Sequence, residues 1–369
     1  MKVSRDFFSV AAQVQSEERI PALDIARGFA SLAVVIFHYC YVNGTFRNKN
    51  EFFSNFSVYG YLGVHFFFVL SGFVIFMTLS RSRGALDFAL ARVARLYPAY
   101  ALSIILTVAA VAALGLGQGV DWMAVALNFT MFADVFGVEH VNPAYWTLGR
   151  EVIFYILVSG ALLLAGQRAV LPFMIIWLAL SLLHAVMGLN ALERILILKW
   201  TPFFVGGASL YLAARGPRAR RGLYWAVFAS TIPLSVYYAL IGLENNRKFF
   251  AYFSASPVVV SLIILLIYLV MILLVFRPCL AAKVPVRVVE VVGGGSYLLY
   301  LIHERVGMIL VHRLYPVMGL ASVIGVIFVM LVISGLLYWW FDRPVQRHLK
   351  QWRKSAILLS ERLSLRKAA

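Results

Sequence analysis

Residues 256–277 read SPVVVSLIILLIYLVMILLVFR, and no charged residue precedes Arg277 in that stretch. A helix rises 1.5 Å per residue, so about 20 residues cross the roughly 30 Å hydrocarbon core of a bilayer. The stretch therefore predicts a membrane-spanning helix.

Nine further apolar windows of similar length bring the predicted spans to ten. The full set is 22–42, 59–80, 96–116, 146–166, 169–189, 196–214, 222–242, 256–277, 290–312 and 318–341. Residues 120–140 are also apolar but contain Asp121, Asp134 and Glu139, so we interpret them as a re-entrant or interfacial loop. The predicted fold class is all-α, a polytopic membrane protein of about ten transmembrane helices.

The composition of the whole chain supports this fold class. Of 369 residues, 62% are hydrophobic and 13% are charged, whereas roughly a quarter of a soluble domain is charged. The net charge of +17 fits the excess of Lys and Arg in cytoplasmic loops, and most basic residues fall inside if both termini are cytoplasmic. We therefore expect the lipid bilayer as a partner and no nucleic acid.

One face of the first predicted span carries Arg27 near its inner end and His38 near its outer end. Eleven residues make about three turns plus roughly 20°, and separate the two by about 16 Å along the axis. Asp24 is placed to pair with Arg27 across three residues. Polar groups are costly in lipid, and histidine, with an unperturbed pKa near 6.5, is a natural base. The alternative for His38 is a satisfied polar side chain inside the bundle.

Two more polar residues share the predicted depth of His38. His65 lies at the outer end of the second span, and Glu151 lies near the outer end of the fourth. A carboxylate bonded to a histidine would fix its tautomer and stabilise the imidazolium. Structural alternatives exist for both, including pairing of Glu151 with Arg150.

Arg92 and Arg95 open the third span on one side, and paired guanidinium groups suit a phosphate-rich ligand. Marking the inner face of the membrane is the alternative role for these arginines. His303 stands beside Glu304 and Arg305, and local pairing is the favoured interpretation there. No histidine spacing of the HExxH type is present, so we expect no metal.

Five segments resemble, in order, the motifs of the membrane-bound acyltransferase family 3, which includes O-antigen, exopolysaccharide and macrolide O-acyltransferases. These segments are PALDIARGFASLAVVIFHY (21–39), YGYLGVHFFFVLSGFVI (59–75), RVARLYPAY (92–100), YWTLGREVIFY (145–155) and SYLLYLIHE (296–304). The chain departs from the pattern at His65, Thr147 and Asp342, where Asp, Ser and Glu are commoner. In the second segment, SGF (71–73) indicates close helix packing through a small residue.

The resemblance implies an acyltransferase transmembrane domain at 21–342, between a cytoplasmic segment (1–20) and a basic cytoplasmic tail (343–369). It also implies acyl-CoA, usually acetyl-CoA, as co-substrate. We expect His38 and Glu151 to be catalytic. The coenzyme is expected to bind Arg27, Arg92 and Arg95, and the acceptor His65, Trp146, Tyr155 and His303.

The expected acceptor is a hydroxyl of a saccharide or glycolipid, and the expected location is the bacterial inner membrane. A small secondary metabolite is an alternative acceptor. A proton-coupled transporter is an alternative of another class, because intramembrane His, Glu and Arg also serve proton relays. Transporters commonly contain internal repeats, and none is visible in this sequence.

Overall fold

The structure, a computed structural model, describes residues 20–48, 51–117, 120–250, 252–277, 284–353 and 355. All regular secondary structure in these residues is helical, which confirms the all-α fold class. Ten of the described helices have 15 or more residues. In chain order they are α1 (Pro21–Ile36), α2 (Gly63–Leu79), α3 (Ala85–Ala113), α4 (Trp146–Ala165), α5 (Val170–Met187), α6 (Thr201–Arg215), α7 (Arg221–Phe249), α8 (Pro257–Phe276), α9 (Val286–Met318) and α10 (Leu320–Leu337).

Length and hydropathy identify the protein as a multi-pass membrane protein. Within the described ranges, seven helical segments are long and apolar enough to cross a membrane. An eighth is the pair Asn190–Leu196 and α6, bent by 45°. The number is below ten because α4 and α5, joined by a short turn, form one segment and α9 is not in the set. The count of ten and the orientation of the termini stay predictions.

The described parts of the connections consist of short helices, turns and irregular segments. Residues 120–140, interpreted above as a loop, contain only the short helix Trp122–Asn128 and the 3₁₀ turn Ala133–Phe136. Most of the segment 1–20 and of the tail 343–369 lies outside the described residues, and residues 343–353 are helical.

Helices α2 and α6 pack with their backbones in close approach. A methyl group on Gly207 would meet the carbonyl oxygen of Val69, and one on Gly72 would meet that of Phe204. Neither glycine can therefore carry a side chain without moving the partner helix. Small residues at such crossings are typical of membrane helices, and the interpretation of SGF at 71–73 is confirmed.

Helices α1 and α9 meet through polar groups as well as glycine. The Ser31 hydroxyl donates to the carbonyl oxygen of Ser296 at 2.7 Å, and the Tyr39 hydroxyl donates to that of His303 at 2.8 Å. Both bonds cross from one helix to the other, and both are buried. They fix how far α1 can slide or rotate against α9.

Two wide π-helical turns extend the ends of α1 and α10. The first covers Phe37–Val42 and the second covers Tyr338–Asp342. A π turn holds one residue more than the α-helical ladder requires, and such turns occur frequently at functional sites. Each of these turns contains a residue of the site described next.

Candidate active site

The imidazole of His38 is held at the start of the first π turn. Its Nδ1 lies 2.9 Å from the carbonyl oxygen of Val34, one turn back in α1. Because a carbonyl oxygen only accepts hydrogen bonds, Nδ1 carries the proton and donates it. The other ring nitrogen, Nε2, is then directed across to α9.

Three polar side chains from α1 and α9 meet at this point. His38 Nε2 lies 3.2 Å from a carboxylate oxygen of Glu304, and His38 Nδ1 lies 3.2 Å from Nε2 of His303. His303 is fully buried, and its own Nδ1 lies 2.8 Å from the carbonyl oxygen of Tyr300. The three residues, His38, His303 and Glu304, are called the histidine cluster below.

The hydrogen bonds of the histidine cluster define its protons. His303 donates a hydrogen bond from Nδ1 to the carbonyl oxygen of Tyr300, so its Nε2 is an acceptor. The proton on His38 Nδ1 is shared between this Nε2 and the carbonyl oxygen of Val34. His38 Nε2 and a Glu304 oxygen lie 3.2 Å apart, a distance at which the two atoms can share a proton. His38 and Glu304 therefore form a pair that can take up and release one proton.

Glu151 belongs to a different network. It accepts a hydrogen bond from the Ser71 hydroxyl at 2.7 Å and a short one from the Tyr155 hydroxyl. The guanidinium of Arg92 lies over the Tyr155 ring at 5.9 Å from its centroid. The expectation that Glu151 orients His38 is therefore corrected, because the carboxylate in contact with His38 is that of Glu304.

An interior cavity of about 120 Å³ lies against the Glu151 network, and Tyr300 stands between it and the histidine cluster. Glu151, Tyr155 and Arg92 form part of its wall, and Tyr300 forms another part. The Tyr300 hydroxyl is bonded to that of Thr147 at 2.9 Å, and the Tyr300 ring lies 5.7 Å from the ring of His303. One end of the cavity therefore lies beside the histidine cluster.

The other end of the interior cavity is bounded by Arg27 and Arg95. Arg27 pairs with Asp24 at 3.5 Å, as the spacing in α1 predicts. Arg95 pairs with Asp342 in the second π turn at 3.3 Å. Arg27, Arg92 and Arg95, the three predicted phosphate ligands, all line this one cavity.

His65 and Trp146 lie in a cluster of aromatic rings around Trp200. His65 is buried among rings, 5.4 Å from that of Trp200 and 5.0 Å from that of Phe203. Trp146 is also 5.4 Å from Trp200. Neither His65 nor Trp146 lines the interior cavity, whereas Tyr155 does and His303 adjoins it.

The histidine cluster also has the spacing of a metal site. Donor atoms of its three residues all lie within 4.8 Å of one another. In each histidine Nδ1 faces a backbone carbonyl, as in many metal-binding histidines. Direct hydrogen bonds between the three side chains nevertheless account for their meeting without an ion.

Comparison with known families decides the class of the protein. The family model described as an acyltransferase domain matches residues 20–339, which include every residue of the histidine cluster and of the interior cavity. The chain belongs to the acyltransferase family 3. No curated protein and no solved structure matches it. The protein is thus a membrane-embedded acyltransferase.

The sequence did not reveal the contacts of two residues of this acyltransferase site. Glu304 was interpreted as a local partner of Arg305, whereas it pairs with His38. Asp342 was noted only as a departure from the family pattern, whereas it holds Arg95. The available signal was the same for both, a carboxylate within or beside an apolar stretch, where an acid requires a partner.

Proposed function

We propose that the protein transfers an acyl group, acetyl in the simplest case, from acyl-CoA to a hydroxyl group of a saccharide or glycolipid. The observation that carries this proposal is the His38–Glu304 pair beside one end of a cavity with arginines at the other. Arginine binds phosphate bidentately, and a histidine paired with a carboxylate is suited to accept a hydroxyl proton.

The residues that line the interior cavity support a coenzyme thioester that enters from the arginine end. Arg27, Arg92 and Arg95 would bind phosphate groups there. The pantetheine arm would then run through the interior cavity towards Tyr300 and Thr147. The thioester would thereby come to the side of the histidine cluster, where the acceptor hydroxyl meets it.

In the proposed chemical step, His38 is the only residue that carries a proton. The acceptor hydroxyl donates its proton to Nε2 of His38 while its oxygen bonds to the thioester carbon. The carbon–sulfur bond then breaks, and the leaving thiolate takes that proton from His38. An ester and a coenzyme thiol result, and the ionised Glu304 stabilises the imidazolium between the two transfers. Any proton that the pair shares must leave first.

Direct transfer is favoured over an acyl-enzyme. In the described part of the chain, the polar contacts of His38 are to Val34, His303 and Glu304, and none is to a serine or cysteine side chain. A nucleophile activated by His38 would lie within hydrogen-bond distance of it.

The donor side is proposed to be cytoplasmic. The helical extension of α10 adjoins the arginine end and carries Arg343, Arg347, Lys350 and Arg353. Such an accumulation of basic residues is typical of the cytoplasmic face. Acyl-CoA would then enter from the cytoplasm, and the acceptor would approach from the opposite half of the bundle.

Acyl transfer from radiolabelled acetyl-CoA in bacterial membranes tests the proposal. We compare the wild type with His38→Ala at matched expression and separate glycan, lipid and small-molecule fractions. Label is expected in the glycan or glycolipid fraction with the wild type. Its rate should fall by about 10²- to 10⁴-fold in the variant, the usual contribution of a general base.

The distribution of label also decides between acceptors. Label confined to small molecules would replace the saccharide with a secondary metabolite as acceptor. Equal labelling by wild type and His38→Ala would remove His38 from the mechanism. If neither protein transfers label, the acyl-CoA donor assignment is wrong.

A further inference from the structure

A second, larger cavity adjoins the interior one at the arginine end of the bundle. Its volume is about 510 Å³. It is lined by the first turns of α1, by α9 near Glu290 and Gly293, and by the extension of α10, and is called the basic mouth below. Arg27 and Arg95 line both cavities, so they stand at the constriction between them.

Cations outnumber carboxylates among the described residues that line the basic mouth. Its three carboxylates are each paired with an arginine: Asp24 with Arg27, Asp342 with Arg95, and Glu290 with Arg343 at 3.2 Å. Arg347 and Lys350 add two positive charges to the same wall. Among the described lining residues, five cations therefore face three anions, which favours a ligand with at least two negative charges.

The helix that carries the cations of the α10 extension is bound to α3. Arg343, Arg347 and Lys350 follow a spacing of four and three residues, which puts them on one helix face. Gln346 fixes this helix to the start of α3, because its amide donates to the carbonyl oxygens of Ala94 at 2.9 Å and Arg95 at 3.1 Å. The basic face is therefore carried on a helix that is fixed against α3.

We propose that the basic mouth binds the 3′-phosphate of coenzyme A, through Arg347 and Lys350. This proposal rests on the proposed function. Coenzyme A carries its diphosphate next to the pantetheine arm and a separate phosphomonoester on the ribose. With the arm in the interior cavity, the diphosphate lies at Arg27 and Arg95, and the ribose phosphate remains outside the constriction. Arg347 and Lys350 are the cations on that side.

Binding of two ligands to the purified full-length protein tests this assignment without requiring turnover. Acetyl-CoA and acetyl-3′-dephospho-CoA are titrated into protein in nanodiscs of phosphatidylcholine. The wild type is expected to bind acetyl-CoA about tenfold or more tightly, the scale of one charge-assisted contact. Arg347→Gln should lose most of this preference by weakening acetyl-CoA binding only.

The matched control is Arg218→Gln, which removes one positive charge from the exposed turn before α7, outside the basic mouth. It should keep the full preference for acetyl-CoA. Equal affinity of the wild type for both ligands, or an equal loss of both in Arg347→Gln, would overturn the assignment. If neither ligand binds the wild type, the acyl-CoA proposal itself fails.

An anionic lipid headgroup offers the same phosphate chemistry and is a separate arm of the experiment. Nanodiscs with phosphatidylglycerol replace those of phosphatidylcholine, and thermal stability is measured without coenzyme. Stabilisation by this lipid that disappears in Arg347→Gln, with no preference between the two coenzymes, would assign the mouth to lipid and overturn our proposal. A preference that persists in both lipids supports the coenzyme.

Discussion

The helix pairs α1–α9 and α2–α6 solve the same packing problem in different ways. In α2–α6, glycines bring the two backbones together, and His65 lies among aromatic rings. In α1–α9, glycines are also present, but hydroxyl groups bond across the helices as well, and His38 lies among a histidine, a carboxylate and a carbonyl group. Two histidines of similar predicted depth therefore have opposite surroundings.

This difference teaches that depth in the membrane does not by itself identify a functional residue. A polar hydrogen bond between membrane helices contributes only about 0.6 kcal/mol on average, so stability alone gives little reason to concentrate them. The concentration of polar atoms along α1–α9 is better explained by a role in catalysis. Changes in the two helix pairs should consequently affect different quantities, activity in one and stability in the other.

Glu304→Gln, in the α1–α9 pair, should lower the rate of acetyl transfer more than any change in α2–α6. The neutral amide no longer stabilises the imidazolium of His38, so kcat should fall by about 10- to 100-fold. Steady-state rates of acetyl transfer measure kcat. Glu304→Asp, which keeps the charge, should retain more of kcat than Glu304→Gln, and a kcat of Glu304→Gln equal to that of the wild type would contradict the pairing.

Gly207→Ala should act on stability in the other helix pair. Its new methyl group would meet the backbone of Val69, and overpacking of this kind costs about 1–3 kcal/mol in the free energy of unfolding. Thermal unfolding in detergent measures the change. Gly242→Ala in α7 is the control, since no atom lies within 4 Å of the added group, and alanine there should be neutral or stabilising by about 0.5–1 kcal/mol. Equal unfolding temperatures of the two variants would show that α2 and α6 tolerate separation.

His65→Phe should change acetyl transfer by less than about threefold, because a ring among rings replaces the histidine without removing a hydrogen bond of the histidine cluster. Steady-state rates at matched folded protein test this. The sequence predicts a different role for His65, contact with the acceptor. A loss of more than about tenfold in kcat/KM, with normal thermal stability, would support that role. His65 would then be a functional residue, as His38 is proposed to be.

Removal of metals should have the smallest effect. The histidine cluster satisfies its own hydrogen bonds, so dialysis against a chelator should leave the acetyl-transfer rate within about twofold. Metal analysis of the purified protein is the companion measurement. Loss of activity that zinc or another divalent cation restores would show that the donor atoms within 4.8 Å hold an ion.

The sequence predicts the parts of this molecule that depend on local pattern. Apolar length predicts the helices, and the three-residue spacing predicts the Asp24–Arg27 pair, because both are properties of a single segment. The motifs also identify the acyltransferase family.

Contacts between distant helices could not be predicted in this way. His38 and His303 are 265 residues apart, and Arg95 is 247 residues from Asp342. Whether such residues meet depends on helix order, tilt and rotation, which packing sets and one sequence does not encode locally. For this reason Glu151, equally acidic and similar in predicted depth, was expected in the position that Glu304 occupies.

The orientation of the side chains in the site depends on the number of residues in the two π turns. Deleting one residue from Phe37–Val42 would restore the α-helical ladder and rotate everything after it by about 100° about the axis. Tyr39 and Tyr41 would then face other neighbours than the carbonyl groups of His303 and Tyr252. A deletion in Tyr338–Asp342 would likewise turn Arg343, Arg347 and Lys350 away from the basic mouth. Descendants of this gene should therefore tolerate substitutions in these turns more readily than the gain or loss of a single codon.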